Sequence, residues 1–291
     1  MTRQKPTKPL TRFSLRAVFA IVAAQCIVTF ATAGEIRHVV LQSRTLNKSW
    51  NINVYVPDDT TRNDMPLIVL LHGRGGNYQD WANAGDIKNT LDQRIKTNEM
   101  PPIVVVMPDG FNCWYLDKQD CRMETAIMRE LIPHAIKTYN AGKTREQRYI
   151  AGLSMGGYGA LNMALKYPGE FVKAGLLSPA VYSPMPPPNS SALKDFADGE
   201  WIANLYTSKL STYFNQPQRV AFYIHSGDDD EFYIDDDAAR LYNVMRKRGN
   251  DAELRIGNGK HSWDVWKESV KGALEYFFAD TKKEPDRSQA P

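Results

Sequence analysis

The sequence predicts an α/β fold built on a mostly parallel, twisted sheet with helices on both faces, and three observations carry that prediction. Residues 67–71 (LIVLL) and 103–107 (IVVVM) are unbroken apolar runs, as suits strands covered on both sides. Beyond residue 34, apolar runs of strand length alternate with stretches at helical spacing, the order of a sheet wound with crossover helices. Residues 148–161 (RYIAGLSMGGYGAL) pass from a buried apolar run through a glycine-rich turn into a helical pattern without a gap.

In chain order, 39–41 and 50–56 read as opening strands, the second alternating at Ile52, Val54 and Val56. Strands at 67–71 and 103–107 follow, separated by a helix over 78–97, and a further helix covers 124–139. After the strand at 148–153, Ala160, Leu161, Ala164 and Leu165 fall at helical spacing within 158–167. Strands at 174–177, 220–224 and 252–256 then alternate with helices over 235–248 and 263–278. One stretch breaks the rhythm. Residues 183–218 open with SPMPPPNSS and are too long for an ordinary strand connection, which makes them either a lid or wall over the site or a surface excursion.

The first 33 residues differ from the rest. Arg3, Lys5, Lys8, Arg12 and Arg16 occur without one acid, 17–30 is almost wholly apolar, and Ala31-Thr32-Ala33 follows, so residues 1–33 read as a secretory signal peptide cleaved before Gly34. The alternative is an N-terminal anchor, against which the apolar run is short of the ~20 residues a span needs. Residues 34–280 then form one domain, and 281–291 a charged, flexible tail. Removing five positive charges from a net charge of +3 leaves −2, which gives nucleic-acid binding no electrostatic support. An exported chain is periplasmic or secreted, with no stable membrane anchor once the leader is gone. In that setting Cys113 and Cys121, the two remaining cysteines, form either a disulfide or two free buried thiols. They have no histidine beside them and no C-x-x-C spacing, so no metal site is expected.

Gly152-Leu153-Ser154-Met155-Gly156 is a G-x-S-x-G pattern placed between a strand and a helix, which marks Ser154 as a nucleophile on a sharp turn. A serine hydroxyl needs a base, and the base needs an orienting acid. Of His38, His72, His134, His225 and His261, only His261 lies in a glycine-flanked loop between the last strand and the last helix, downstream of candidate acids in the order Ser, Asp, His. The acid falls in Gly227-Asp228-Asp229-Asp230-Glu231, where Asp230 is favoured, Asp229 is second and Asp228 third. The glycines of 70–77 (LLHGRGGN) can expose backbone N–H groups, so the amides of Arg74 and Met155 are the candidate oxyanion donors, with His72 bracing that loop. Trp114, Tyr115 and Trp263 are candidates for stacking on a substrate ring, the alternative for each being core packing.

Taken together, VYVPDD (54–59), LLHGRGGN (70–77), MPDGFNCWY (107–115), AGLSMGGYGAL (151–161) and HSWDVW (261–266) resemble the putative-esterase family of α/β-hydrolases, over about 46–278. That family includes esterase D (S-formylglutathione hydrolase), feruloyl and acetyl-xylan esterases, and mycolyltransferases. The resemblance implies an α/β-hydrolase fold, Ser154 as nucleophile, His261 as base, Asp230 as carboxylate and Arg74 in the oxyanion loop. Members often carry Asp where Ser262 stands. The expected activity is that of an exported serine carboxylesterase without a cofactor, acting on short or aromatic acyl esters of a small molecule or carbohydrate. An acyltransferase, an S-formylglutathione hydrolase-like thioesterase and an inert binding module of the same fold are the alternatives.

Overall fold

The computed structural model describes residues 1–2, 34–58 and 64–279. The chain divides into Met1–Phe30 and Ala31–Pro291, and everything below concerns the second unit. Residues 3–33 of the expected signal peptide, and the charged tail, lie outside the described residues.

In chain order the elements are β1 (Glu35–Ser43), β2 (Lys48–Val56), β3 (Leu67–Leu71), α1 (Asp80–Asn83), α2 (Ile87–Lys96), β4 (Val104–Pro108) and the two-residue strands β5 (Asp117–Lys118) and β6 (Cys121–Arg122). There follow α3 (Met123–Ala126), α4 (Ile132–Tyr139), β7 (Arg148–Leu153), α5 (Met155–Lys166), β8 (Lys173–Leu177), α6 (Ala192–Asp195), α7 (Glu200–Ala203), α8 (Leu210–Phe214), β9 (Ala221–Gly227), α9 (Ile234–Lys247), β10 (Ala252–Gly257) and α10 (Trp263–Phe278). Eight strands form one sheet in the order β1-β2-β4-β3-β7-β8-β9-β10. β1 and β2 pair antiparallel, as do β2 and β4, and every later pairing is parallel. This is the α/β-hydrolase fold the sequence predicts.

The apolar runs are continuous because each strand feeds two cores. Leu67, Val69 and Leu71 pack on one face with residues of α3, α4, α5 and α9, whereas Ile68 and Leu70 pack on the other with α2 and α10. The chain leaves β3 toward β4 on one side and returns to β7 on the other. The crevice outside the carboxyl ends of β3 and β7 is therefore the switch point of the sheet, where such folds bind their ligands.

Three elements differ from the sequence reading, each for a local reason. β1 runs the length of 35–43 rather than 39–41, because an edge strand leaves most of its side chains exposed and needs few apolar ones. The helix expected over 78–97 is two helices. Asp86 takes a left-handed conformation, and Gly85 lies so close to Trp81 and Trp263 that a Cβ there would stand 2.7 Å from the Trp81 carbonyl oxygen. The helix over 124–139 contains a π-helical turn at Ile127–Leu131, just before Pro133 in the first turn of α4. Proline has no N–H to donate and crowds the preceding turn, and a wider turn accommodates both effects.

Residues 183–218 hold the short helices α6, α7 and α8 and a 3-10 turn at Tyr206–Lys209, anchored by the buried Ala192, Phe196, Trp201, Tyr206 and Tyr213. Cys113 and Cys121 form a disulfide that closes the loop containing β5.

Candidate active site

Ser154 stands between β7 and α5 at φ 53° and ψ −115°, a conformation that costs about 1–3 kcal/mol and persists only where the surroundings enforce it. Backbone hydrogen bonds enforce it here. Ser154 N–H donates to the Leu177 carbonyl at 2.9 Å, and the Ser154 carbonyl accepts from Tyr158 and Ala180, each at 3.0 Å. The glycines of the motif supply room. A Cβ on Gly152 would stand 2.4 Å from the Gly156 carbonyl oxygen, and one on Gly156 would meet the carbonyl oxygens of Leu71 and His72 at 2.6 Å. Only glycine lets the start of α5 lie this close to the end of β3. α5 consequently begins at Met155, three residues before the helical pattern becomes visible, since two glycines in its first turn hide it.

His261 places Nε2 2.9 Å from Ser154 Oγ and Nδ1 2.7 Å from Asp230 Oδ2. With its proton on Nδ1, the imidazole donates to the carboxylate and accepts from the serine hydroxyl. The Asp230 side chain is fully enclosed, and its other oxygen, Oδ1, accepts the Phe232 N–H at 3.0 Å. The ring of His261 is held edge-on by Trp266 and Phe232, with centroids 4.9 and 5.0 Å away. The other two aspartates serve the loops instead. Asp228 Oδ1 accepts the Gly259 N–H at 2.9 Å, and Asp229 donates its backbone N–H to the Gly259 carbonyl. Gly227 permits this approach, because a Cβ there would lie 2.2 Å from the Gly259 carbonyl oxygen.

The loop after β3 lies against the serine, since a Cβ on Gly73 would stand 3.6 Å from Ser154 Cβ. His72 Nδ1–H donates to the Gly73 carbonyl at 2.7 Å and Nε2 accepts the Gly110 N–H at 2.8 Å, so both ring nitrogens are committed to bracing loops. Gly75 N–H goes to Asn112 Oδ1 and Gly76 N–H to the Gly73 carbonyl, whereas the Arg74 N–H has no partner among the described residues. Met155 supplies the first amide of α5, which has no acceptor inside the helix. The remaining histidines sit elsewhere. His38 pairs with Asn51 on the β1–β2 edge, His134 lies on α4, and His225 lies on β9 with Nδ1 buried and without a hydrogen-bond partner among the described residues. Burial pushes the His134 and His225 imidazoles below their ordinary range.

The aromatic candidates are largely enclosed. Trp114 is 2% exposed and ringed edge-on by Tyr158, Phe196 and Trp201, and Tyr115 is fully buried with its hydroxyl on the His72 carbonyl. Trp263 is partly exposed and packs edge-on against Trp81 and Trp266. Of the three, Trp263 alone keeps surface to offer a substrate.

Several residues around the site had no sequence signal. Asp195 receives the Arg74 guanidinium and the Trp114 indole N–H, Asn112 holds Gly75, and Asn189 donates to the Glu231 carbonyl at 2.9 Å. Asp195 and Asn189 belong to 183–218, which thereby touches both the loop after β3 and the acid loop. Among the described residues, no group of three or more His, Cys, Asp or Glu side chains is arranged to hold a metal ion.

A family model described as putative esterase matches residues 43–277. An acetyl esterase of Caldicellulosiruptor saccharolyticus is 26% identical over 270 residues, covering 83% of this chain and 97% of that protein. An endo-1,4-beta-xylanase/feruloyl esterase of Xylanibacter ruminicola is 30% identical over 162 residues, which cover 52% of this chain and 22% of that longer protein. A solved structure of a ferulic acid esterase shares the fold with a TM-score of 0.74 at 24% identity, over 84% of this chain and 98% of that one.

Proposed function

The chain belongs to the putative-esterase family and is a serine hydrolase, and from that premise we propose that it is an exported carboxylesterase whose catalytic groups are Ser154, His261 and Asp230. His261 Nε2 takes the Ser154 hydroxyl proton as Oγ attacks the ester carbonyl carbon. The oxyanion that forms accepts hydrogen bonds from the N–H groups of Arg74 and Met155. Collapse breaks the bond to the alcohol, whose oxygen takes the proton back from His261 and leaves an acyl-Ser154. Water, deprotonated by the same imidazole, then releases the acid and restores the serine. Asp230 holds the imidazole in the required tautomer throughout and stabilises its cationic form. The observation that carries this reading is the unbroken contact from Asp230 Oδ2 through His261 to Ser154 Oγ, at 2.7 and 2.9 Å, with the serine on a strained turn.

The proposed substrates are esters of small acyl groups, acetyl to butyryl or a compact aromatic acid, on a carbohydrate or similar polar alcohol. The relatives named for acetyl and feruloyl esterase activity support this choice. Export is proposed from the leader-like residues 1–33, and the Cys113–Cys121 disulfide suits an oxidising compartment. N-terminal sequencing of the exported chain should begin at Gly34, and a chain that retains Met1 would overturn the leader.

A fluorophosphonate probe should label wild type on Ser154 alone, and Ser154→Ala should lose turnover by about 10⁴-fold or more while keeping its melting temperature. Labelling that survives the substitution would refute the assignment. Across a p-nitrophenyl ester series, kcat/KM should fall beyond about six acyl carbons, as the proposed preference for small acyl groups requires. A steady rise to twelve carbons would show a lipase-like site. Acyl transfer to a polyol in preference to water would mark a transferase.

A further inference from the structure

The turn at 73–76 is made almost wholly of glycine, so its own residues do little to hold its amides in place. Its one side chain is Arg74. The guanidinium of Arg74 meets both carboxylate oxygens of Asp195, with Nη2 donating to Oδ1 at 2.8 Å and Nε donating to Oδ2. The partners are 121 residues apart in sequence, the acid's side chain 13% exposed and the arginine's 34%. The two-pronged geometry, with the carboxylate largely enclosed, fixes direction as well as distance, as a single-pronged ion pair does not.

Asp195 is itself held from a third direction. Trp114 Nε1 donates to Oδ2 at 2.9 Å, and Lys118 Nζ donates to the Asp195 carbonyl at 2.7 Å while lying 3.6 Å above the Phe196 ring and 3.3 Å from Glu200. Trp114 and Lys118 lie in the loop closed by the Cys113–Cys121 disulfide, and Asn112, just before it, accepts the Gly75 N–H at 2.8 Å. Burial alone would raise the Asp195 carboxyl. The hydrogen bonds from Arg74 and Trp114, with the charges of Arg74 and Lys118, overcome that and keep it below the usual carboxylate range.

We propose that Asp195 is a positioning residue for acyl transfer: through the Arg74 guanidinium it fixes the glycine turn so that the Arg74 N–H stands where the oxyanion develops. The proposal rests on the reading of Ser154 as nucleophile and Arg74 N–H as oxyanion donor. An oxyanion donor acts only within about 2.7–3.1 Å of its target, so a loosened turn lowers transition-state stabilisation and leaves ground-state binding almost intact.

The test compares Asp195→Asn, Arg74→Met and the double variant on p-nitrophenyl acetate, with melting temperatures and the affinity of a phenylboronic acid, a tetrahedral mimic. Asp195→Asn should lower kcat by about 10- to 100-fold, a fraction of what losing a whole donor costs, and keep KM within about twofold. Boronate affinity should fall by about the same factor as kcat. Arg74→Met should show the same loss and the double variant no more, because both break one link. Wild-type kcat in Asp195→Asn, losses that multiply in the double variant, or a loss confined to KM would each overturn the proposal. Turnover that survives Ser154→Ala would instead overturn the reading of the site on which it rests.

Discussion

At the scale of single residues, the acid loop shows what a motif can and cannot settle. Four consecutive acids follow Gly227, and nothing in their local pattern separates them. Packing separates them: Asp228, Asp229 and Glu231 are exposed, whereas the Asp230 side chain is enclosed and lies 2.7 Å from His261 Nδ1. Asp230→Asn should lower kcat by about 10⁴, because an amide there favours the wrong imidazole tautomer. Asp229→Asn, at an exposed position, should leave kcat within about twofold. Steady-state kinetics on one ester decide between them, and a large loss in Asp229→Asn with none in Asp230→Asn would move the acid by one residue. Ser154 and His261 were legible because each sits in a local pattern that imposes its own geometry. Asp195 was not, because its meaning comes from partners 81 and 121 residues away.

At the scale of elements, the strands were legible and the helix interruptions were not. Leu67–Leu71 announces itself because both faces of β3 are buried, whatever packs on them. The break at Asp86 goes with the close packing of Gly85 on Trp81 and Trp263, and the π turn with Pro133, and the period of the apolar residues contains neither. The junction of β3, β7 and α5 is the tightest of these dependencies. In Gly156→Ala the new methyl would lie 2.6 Å from the backbone oxygens of Leu71 and His72, and backbone cannot swing aside as a side chain can. The variant should lose about 2 kcal/mol of stability, within the range of overpacked sites, and its kcat should fall with it. Thermal melts and kinetics check this, and a wild-type melting temperature would contradict so close an approach.

At the scale of the whole molecule, 183–218 joins the two halves of the site and brings a titratable group into the interior. Asp237, in the first turn of α9, is 7% exposed beside Tyr182, Tyr206 and the Ser183 backbone N–H that leads into this segment. Burial pushes its carboxyl up to about 6, against the pull of Arg240 and the Ser183 N–H, and Asp235 and Asp236 push the same way. A carboxyl raised above its unfolded value of about 4 binds its proton more tightly in the folded chain. Its stabilising contribution is therefore complete below that value and is lost as the pH rises through about 6. Asp237→Asn should raise the melting temperature at pH 7.5 by about 2 °C, and the gain should vanish near pH 4. A gain independent of pH, or a loss at pH 7.5, would show that the ionised carboxylate is satisfied where it lies.

The sequence by itself determined the order of strands and helices, the turn that carries Ser154 and the loop that carries His261. Each of these depends on residues near in the chain: apolar runs of strand length, glycines where backbones must approach, and a serine between strand and helix. The tertiary structure alone decided which aspartate faces the imidazole, which aromatic candidates are shut inside the core, and what the irregular stretch at 183–218 does. Those outcomes depend on enclosure and on contacts between segments far apart in sequence, such as Asp195 with Arg74 and Trp114. Glycine-rich and irregular segments have little conformational preference of their own, so only the elements packed around them determine where their amides and side chains finally stand.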